Sequence, residues 1–339
     1  MEHGWRRYLF LGGVCLGLGL FFYQGWLTMQ MWDRAGAALD IRGRYLVYAA
    51  ACIVAAYALQ MLTWMFIMRK LSVPLTILDV VRGYPLSFLP RYIPGSVWGY
   101  WGRSHWLARS YATPYRISFL GSIYEAGYLI LAAMLIGLGY LGAHLELLVN
   151  LRFVPPPFWV VGASSVLLLG AALFWNYGLT LATEDTFAGG AGAWFARART
   201  KPLSQPRNWL TVIVILGLYM LMWALHGWAT WFVGSSFKST QLSGNVWGVV
   251  AATAVAWAIG FLVLLVPSGL GVREWSLAFL LRQLGLIPTE LALLMATFSR
   301  GFLFAAELFW ILFSLALGLG YKLQAAPQHS SDEDNSGRN

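Results

Sequence analysis

Apolar residues run along this chain in blocks of about the length that crosses a bilayer, with polar residues gathered between them. Stretches of roughly 20 residues, enough to pass about 30 Å of hydrocarbon, recur near 8–32, 45–68, 117–141, 158–181, 209–234, 245–266 and 302–321. The pattern predicts an all-α, polytopic helical membrane protein with about seven or eight transmembrane helices. It forms a single integral membrane domain over 1–325, with a first half 1–150 and a second half 151–325. A polar tail, 326–339, reads as disordered.

Two regions break the pattern. Over 71–116, Pro74, Pro85, Pro90, Pro94 and Pro114 interrupt short apolar runs, with Gly95, Gly99 and Gly102 between them. Over 267–300, Pro267, Gly269, Gly271, Gly285 and Pro288 divide the chain into a piece near 274–284 and another from Thr289 to Arg300. Proline removes a backbone donor and glycine opens conformations that other residues avoid, so both regions are expected to be broken or re-entrant helices. Irregular backbone at membrane depth persists only where it is buried in protein or lines a wet cavity. A pair of interrupted segments, one in each half, is a pointer to a transporter site.

Composition agrees with the pattern. The 339 residues are 59% hydrophobic and 11% charged, with a mean hydropathy of +0.63. The net charge of +9 is uneven: Arg69, Lys70, Arg82, Arg91, Arg103, Arg109 and Arg116 fill the second connection, and Arg197, Arg199, Lys201 and Arg207 the fourth. The positive-inside rule places these connections and the N-terminus in the cytoplasm of a multi-pass protein of the cell (inner) membrane. Arg34, Arg42 and Arg44 in the first connection fit that orientation poorly. No soluble domain accompanies the basic loops, so nucleic acid is not an expected partner. Cys15 and Cys52 fall within spans and read as small core residues, with no metal site, cofactor or disulfide framework.

Charges within the apolar background are the functional candidates, because they are costly there. Glu125 lies about two turns into its span, and Arg103 of the glycine-rich segment is its nearest expected partner. Arg300 and Glu307 are seven residues apart, hence about 10 Å apart along a helix axis, and cannot simply pair with each other. Arg273 and Glu274 are the expected partners in the same half. Arginine suits a phosphate because its planar fork donates two parallel hydrogen bonds. Gly269 and Gly271 would let backbone amides approach the same group at a helix start. The candidate lipid-headgroup site is therefore Arg103, Glu125, Gly269, Gly271, Arg273, Glu274, Arg300 and Glu307. His105 is expected to be positional. The deep tryptophans, Trp223, Trp228, Trp231 and Trp257, read as helix packing or as the lining of an acyl-chain groove. No HExxH, GxSxG or P-loop pattern occurs, so the chain is not expected to be an enzyme.

Four segments, YIPGSVWGYWGR, YEAGYLIL, PSGLGVREWSLAFLL and SRGFLFAAELFW, resemble the transmembrane region of lysyl-phosphatidylglycerol synthases and the flippase-like proteins built on that region. The likeness covers most of 5–322 and is strongest over 262–312. It implies a lipid translocase whose partners are membrane lipids, anionic or phosphate-bearing, together with a separate lipid-modifying enzyme. The soluble aminoacyl-transfer domain of the bifunctional relatives has no counterpart in this sequence, so lysyl transfer is not expected. The alternative is a non-transporting accessory subunit of a membrane glycosyltransferase or lipid-modifying enzyme. A translocase would turn its charges toward a hydrated cavity; a scaffold would keep them paired and dry.

Overall fold

The computed structural model describes residues 41–92, 98–111, 113, 115–144, 209–237, 242, 245–263, 266–287 and 289–325, and the isolated positions 19, 22, 23, 26 and 30. The expected spans 8–32 and 158–181, the loop 182–208 and the tail 326–339 lie outside the described residues, apart from those isolated positions. Within them the protein is helical, with eight α-helices: α1 (Gly43–Lys70), α2 (Ile77–Gly83), α3 (Trp98–Tyr111), α4 (Tyr115–Ala143), α5 (Trp209–Ser236), α6 (Val246–Leu262), α7 (Val272–Gln283) and α8 (Thr289–Ala325). Four of these hold apolar stretches long enough to cross a membrane: Gly43–Lys70, Ile117–Ala143, Leu210–Ser236 and Leu291–Gly318. The chain is a polytopic helical membrane protein.

Helices α1 and α5 run antiparallel. The start of one is tied to the end of the other by the Arg42 amide donating to the Ser236 carbonyl at 2.8 Å, and midway the rings of Tyr57 and His226 meet at 5.5 Å. Helix α6 occupies the centre. Its sequence, VWGVVAATAVAWAIGFL, is built from small and β-branched residues, and most of it is buried. Such residues let neighbouring backbones approach closely. A methyl group on Gly227 of α5 would stand 2.4 Å from the Val250 Cα of α6, so the two helices touch backbone to backbone there.

The expected span 245–266 is helical only over 246–262. Pro267 has no N–H to offer the Val263 carbonyl, so the helix stops a turn before it despite the apolar sequence. The expected span 302–321 is the later part of the 37-residue α8.

Both interrupted regions are broken as expected. Between α1 and α4 lie α2, two single 3-10 turns at Pro85–Ser87 and Leu89–Tyr92, and α3. Helix α2 opens on a capping box: the Asp79 amide donates to Thr76 Oγ1 at 3.2 Å and the Thr76 amide to Asp79 Oδ2 at 2.8 Å. In the second region α7 ends in a Schellman motif. Gly285, at φ +63°, donates to the Arg282 carbonyl at 2.9 Å and Leu286 donates to the Leu281 carbonyl at 3.0 Å. Leu281 and Leu286 share a buried cluster, and α8 begins at Thr289.

Candidate functional site

The tips of the two broken regions meet: the turn at 89–92 packs against the turn at 267–269. Beside them is a cavity of about 80 Å³ whose wall includes Tyr57, Arg91, Arg103, Glu125, Arg273 and Glu307. One water needs roughly 10–15 Å³, so this space holds several.

Among the described residues, three ion pairs surround it. In the first, Arg103 Nη2 of α3 meets Glu125 Oε2 of α4 at 2.5 Å, with both residues buried. Tyr84 Oη also donates to Glu125 Oε1, Gln60 Nε2 reaches the same oxygen at 3.5 Å, and Ser122 Oγ lies 3.1 Å from Arg103. The Arg103 guanidinium sits over three rings: Trp64 at 4.7 Å, Tyr84 at 4.5 Å and Tyr100 at 5.4 Å. This aromatic cage holds the cation in place where water is scarce.

The second pair joins the two halves. Glu307 Oε1 of α8 accepts from Tyr57 Oη at 2.7 Å and faces Arg91 Nη1 at 3.4 Å. Expected to pair within its own half, Glu307 instead pairs across the molecule. The reason is the meeting of the two broken tips, which brings Arg91 over α8.

In the third pair Glu274 and Arg300 are partners within the second half, with Arg300 Nε 3.5 Å from Glu274 Oε1. Arg300 Nη2 also donates to Ser268 Oγ at 3.1 Å, and its guanidinium lies 4.8 Å from the Phe304 ring. The turn feeding this pair is strained: Ser268 has φ +50°, beside Gly269 at +65° and Gly271 at +79°. Left-handed backbone at a non-glycine residue is tolerated mainly where the surroundings enforce it.

Gly269 and Gly271 are used differently from the expectation that their amides approach a ligand. The Gly269 amide donates to the Val266 carbonyl at 3.2 Å, and the Gly271 amide to Glu274 Oε2 at 2.7 Å. Gly269 is required for contact: a Cβ there would stand 2.7 Å from the Gly260 carbonyl oxygen. Gly260 in turn leaves room for Arg273, whose Cβ a methyl at 260 would meet at 3.0 Å. The two glycines thereby seat the first turn of α7 against the end of α6.

Arg273 stands apart. Among the described residues no hydrogen bond or ion pair joins its guanidinium, although it is only partly covered and lines the cavity. Among the described residues four arginines (91, 103, 273 and 300) and three glutamates (125, 274 and 307) gather here, and the arginine outside the three pairs is Arg273.

Sequence reasoning missed several wall residues. Tyr57, Gln60, Tyr84 and His226 are polar residues within apolar or proline-rich runs and share no spacing with the charges they meet. Arg91 was legible only as a basic loop residue. Trp223 and Trp257 line the cavity, their rings 5.0 Å apart. His105 lies outside it, stacked on Trp101 with its Nδ1 2.7 Å from Tyr115 Oη.

No curated protein matches the chain in a direct sequence comparison. Residues 10–311 match the family model described as "Lysylphosphatidylglycerol synthase TM region", and the chain belongs to that family.

Proposed function

We propose that this protein passes the phosphate-bearing headgroup of a membrane lipid between leaflets, through the cavity between its two broken regions, while the acyl chains stay in the bilayer. The observation that carries the reading is Arg273, a cation on the wall of a space large enough for several waters, with no counter-charge bound to it among the described residues. A cation on a protein wall with no group bound to it is open to an anionic visitor. Its fork fits a phosphodiester, and the paired charges around it give a polar path.

The test is reconstitution into vesicles carrying a fluorescent phosphatidylglycerol in the inner leaflet, read by chemical quenching as the lipid reaches the outer leaflet. Wild-type protein should expose the lipid. Arg273→Ala should slow exposure roughly tenfold to a hundredfold, the worth of hydrogen bonds to a charged group, and Arg273→Lys should rescue little because a point charge lacks the fork. Since Glu307 has Tyr57 and Arg91 as partners, removing Glu307 as well should not restore activity. Wild-type rates in Arg273→Ala vesicles would take Arg273 out of the site.

The second reading, a non-transporting scaffold for a lipid-modifying enzyme, draws support from the same ion pairs, because every carboxylate of the cluster is matched within the chain. Vesicles in which the wild-type protein exposes no lipid would favour it.

A further inference from the structure

Behind the large cavity lies a second one of about 10 Å³, lined by Ile53 of α1, His226 and Thr230 of α5, Thr253 of α6, Arg273 of α7 and Ser299 of α8. It has room for a single small body. Two of its polar side chains are almost wholly buried, His226 at 6% exposure and Thr253 at 2%. Among the described residues neither His226 Nδ1 nor Thr253 Oγ1 has a hydrogen-bond partner. Buried polar atoms are nearly always satisfied, so two orphans around one hole mark a missing occupant. The other hydroxyls already donate elsewhere, Thr230 to the His226 carbonyl at 3.1 Å and Ser299 to the Met295 carbonyl at 2.7 Å.

We propose that this chamber is a binding site for one monatomic anion of the chloride class, held by the Arg273 guanidinium, the Thr253 hydroxyl and the His226 Nδ1–H. The sign follows from the wall: Arg273 brings a full positive charge, and no carboxylate lines the chamber among the described residues. A water there would satisfy the hydroxyl and the imidazole but bring no negative charge to the guanidinium, which Glu274 and Glu307 influence only from outside the chamber. A phosphate, with four oxygens, is too large for the space. Ile53 and the other apolar residues of the wall suit an ion that sheds its water readily. Because Arg273 and His226 line both cavities, an anion in the chamber and a lipid phosphate in the main cavity would draw on one guanidinium. Thr253 lines only the chamber, so the anion site can be tested apart from the lipid reading.

The experiment is equilibrium dialysis of the full-length protein in detergent against radioactive chloride, with gluconate holding ionic strength constant. Wild-type protein should bind chloride saturably, close to one ion per chain. Thr253→Val, which keeps the shape and removes the hydroxyl, should weaken binding about tenfold, the loss of one hydrogen bond to a charged group. Arg273→Gln should abolish it. Size-exclusion elution and tryptophan emission check that each variant is folded, and the Thr253→Val comparison decides the matter if Arg273→Gln is not. Absence of saturable binding in the wild type would overturn the proposal and leave the chamber to a water. Equal binding in the wild type and Thr253→Val would overturn it too, by placing the ion elsewhere.

Discussion

Replacing Glu125 with glutamine changes almost nothing in shape and removes one negative charge from beneath Arg103. The arginine then remains 2% exposed, with Ser122 Oγ and three ring faces for company. It cannot shed its proton to escape the cost. Breaking one side of a buried ion pair costs about 3–5 kcal/mol, which changes the folded-to-unfolded ratio by on the order of a hundredfold or more. Replacing both partners by apolar groups of similar size is often neutral or stabilising, so Arg103→Met combined with Glu125→Leu should recover most of the loss. The assay is denaturant unfolding in detergent micelles, followed by tryptophan fluorescence. Trp64, fully buried 4.7 Å from the guanidinium, is placed to report it. A double variant as damaged as the sum of its two single variants would refute the coupling. A Glu125→Gln protein within about 1 kcal/mol of wild type would refute the burial argument itself.

Gly269→Ala should be poorly tolerated, because its φ of +65° disfavours a side chain and its Cβ would meet backbone at 2.7 Å; Gly285→Asn, at φ +63° with open space around it, should express and fold normally, and gel filtration of the two variants checks the contrast. Thr76→Ala should cost helix α2 about 1 kcal/mol of stability, read by hydrogen exchange over 77–83. Asp79 in the same cap lies outside the apolar spans: burial pushes its carboxyl up, but hydrogen bonds from Thr76 and Tyr111 and the charge of Arg82 outweigh this and hold it below the usual range. Its contribution is therefore complete above the unfolded carboxyl value, near pH 4, and should fade as the pH falls further, with exchange over 77–83 rising once corrected for intrinsic rates. A cysteine placed at Ala198, in the basic fourth connection, should resist an impermeant thiol reagent applied outside intact cells and react once the cells are opened.

The breaks in the helices were legible in the sequence because each has a local cause. Gly285 satisfies a left-handed C-cap and Pro288 follows it, so the end of α7 is written within a few residues. The end of α6 was read too late because apolar composition continues through Val266 while the backbone obeys Pro267. Pairing was legible only at short range. Arg103 with Glu125 and Arg300 with Glu274 lie on consecutive or nearly consecutive helices, where few alternatives exist. Glu307 found Arg91, 216 positions away, and Tyr57, 250 away, through a meeting of elements that no spacing encodes. His226 gave no signal at all: a lone histidine among apolar residues acquires meaning only from what faces it.

The contrast between paired, dry charges and charges facing water dissolves once the position of each pair is considered. Arg103–Glu125 ties α3 to α4 within the first half, and Glu274–Arg300 ties α7 to α8 within the second, with the signs of the short and long helices exchanged. These two pairs fasten each broken region to its own long helix, as one unit. Arg91–Glu307 is different, since it crosses between the units and leaves Arg91 partly exposed at 28%. The exposure of Arg91 makes this pair less costly to open than the two fully buried ones, and Glu307 keeps Tyr57 as a partner when it does. The cavity in the present form, about 80 Å³, is well below the roughly 300–1,000 Å³ of pockets that enclose drug-sized ligands. On the proposed reading, admitting a headgroup would require the units to part, and the crossing pair sits where they would separate. On that reading the paired charges hold each body together, and the guanidinium of Arg273 would meet what enters between them.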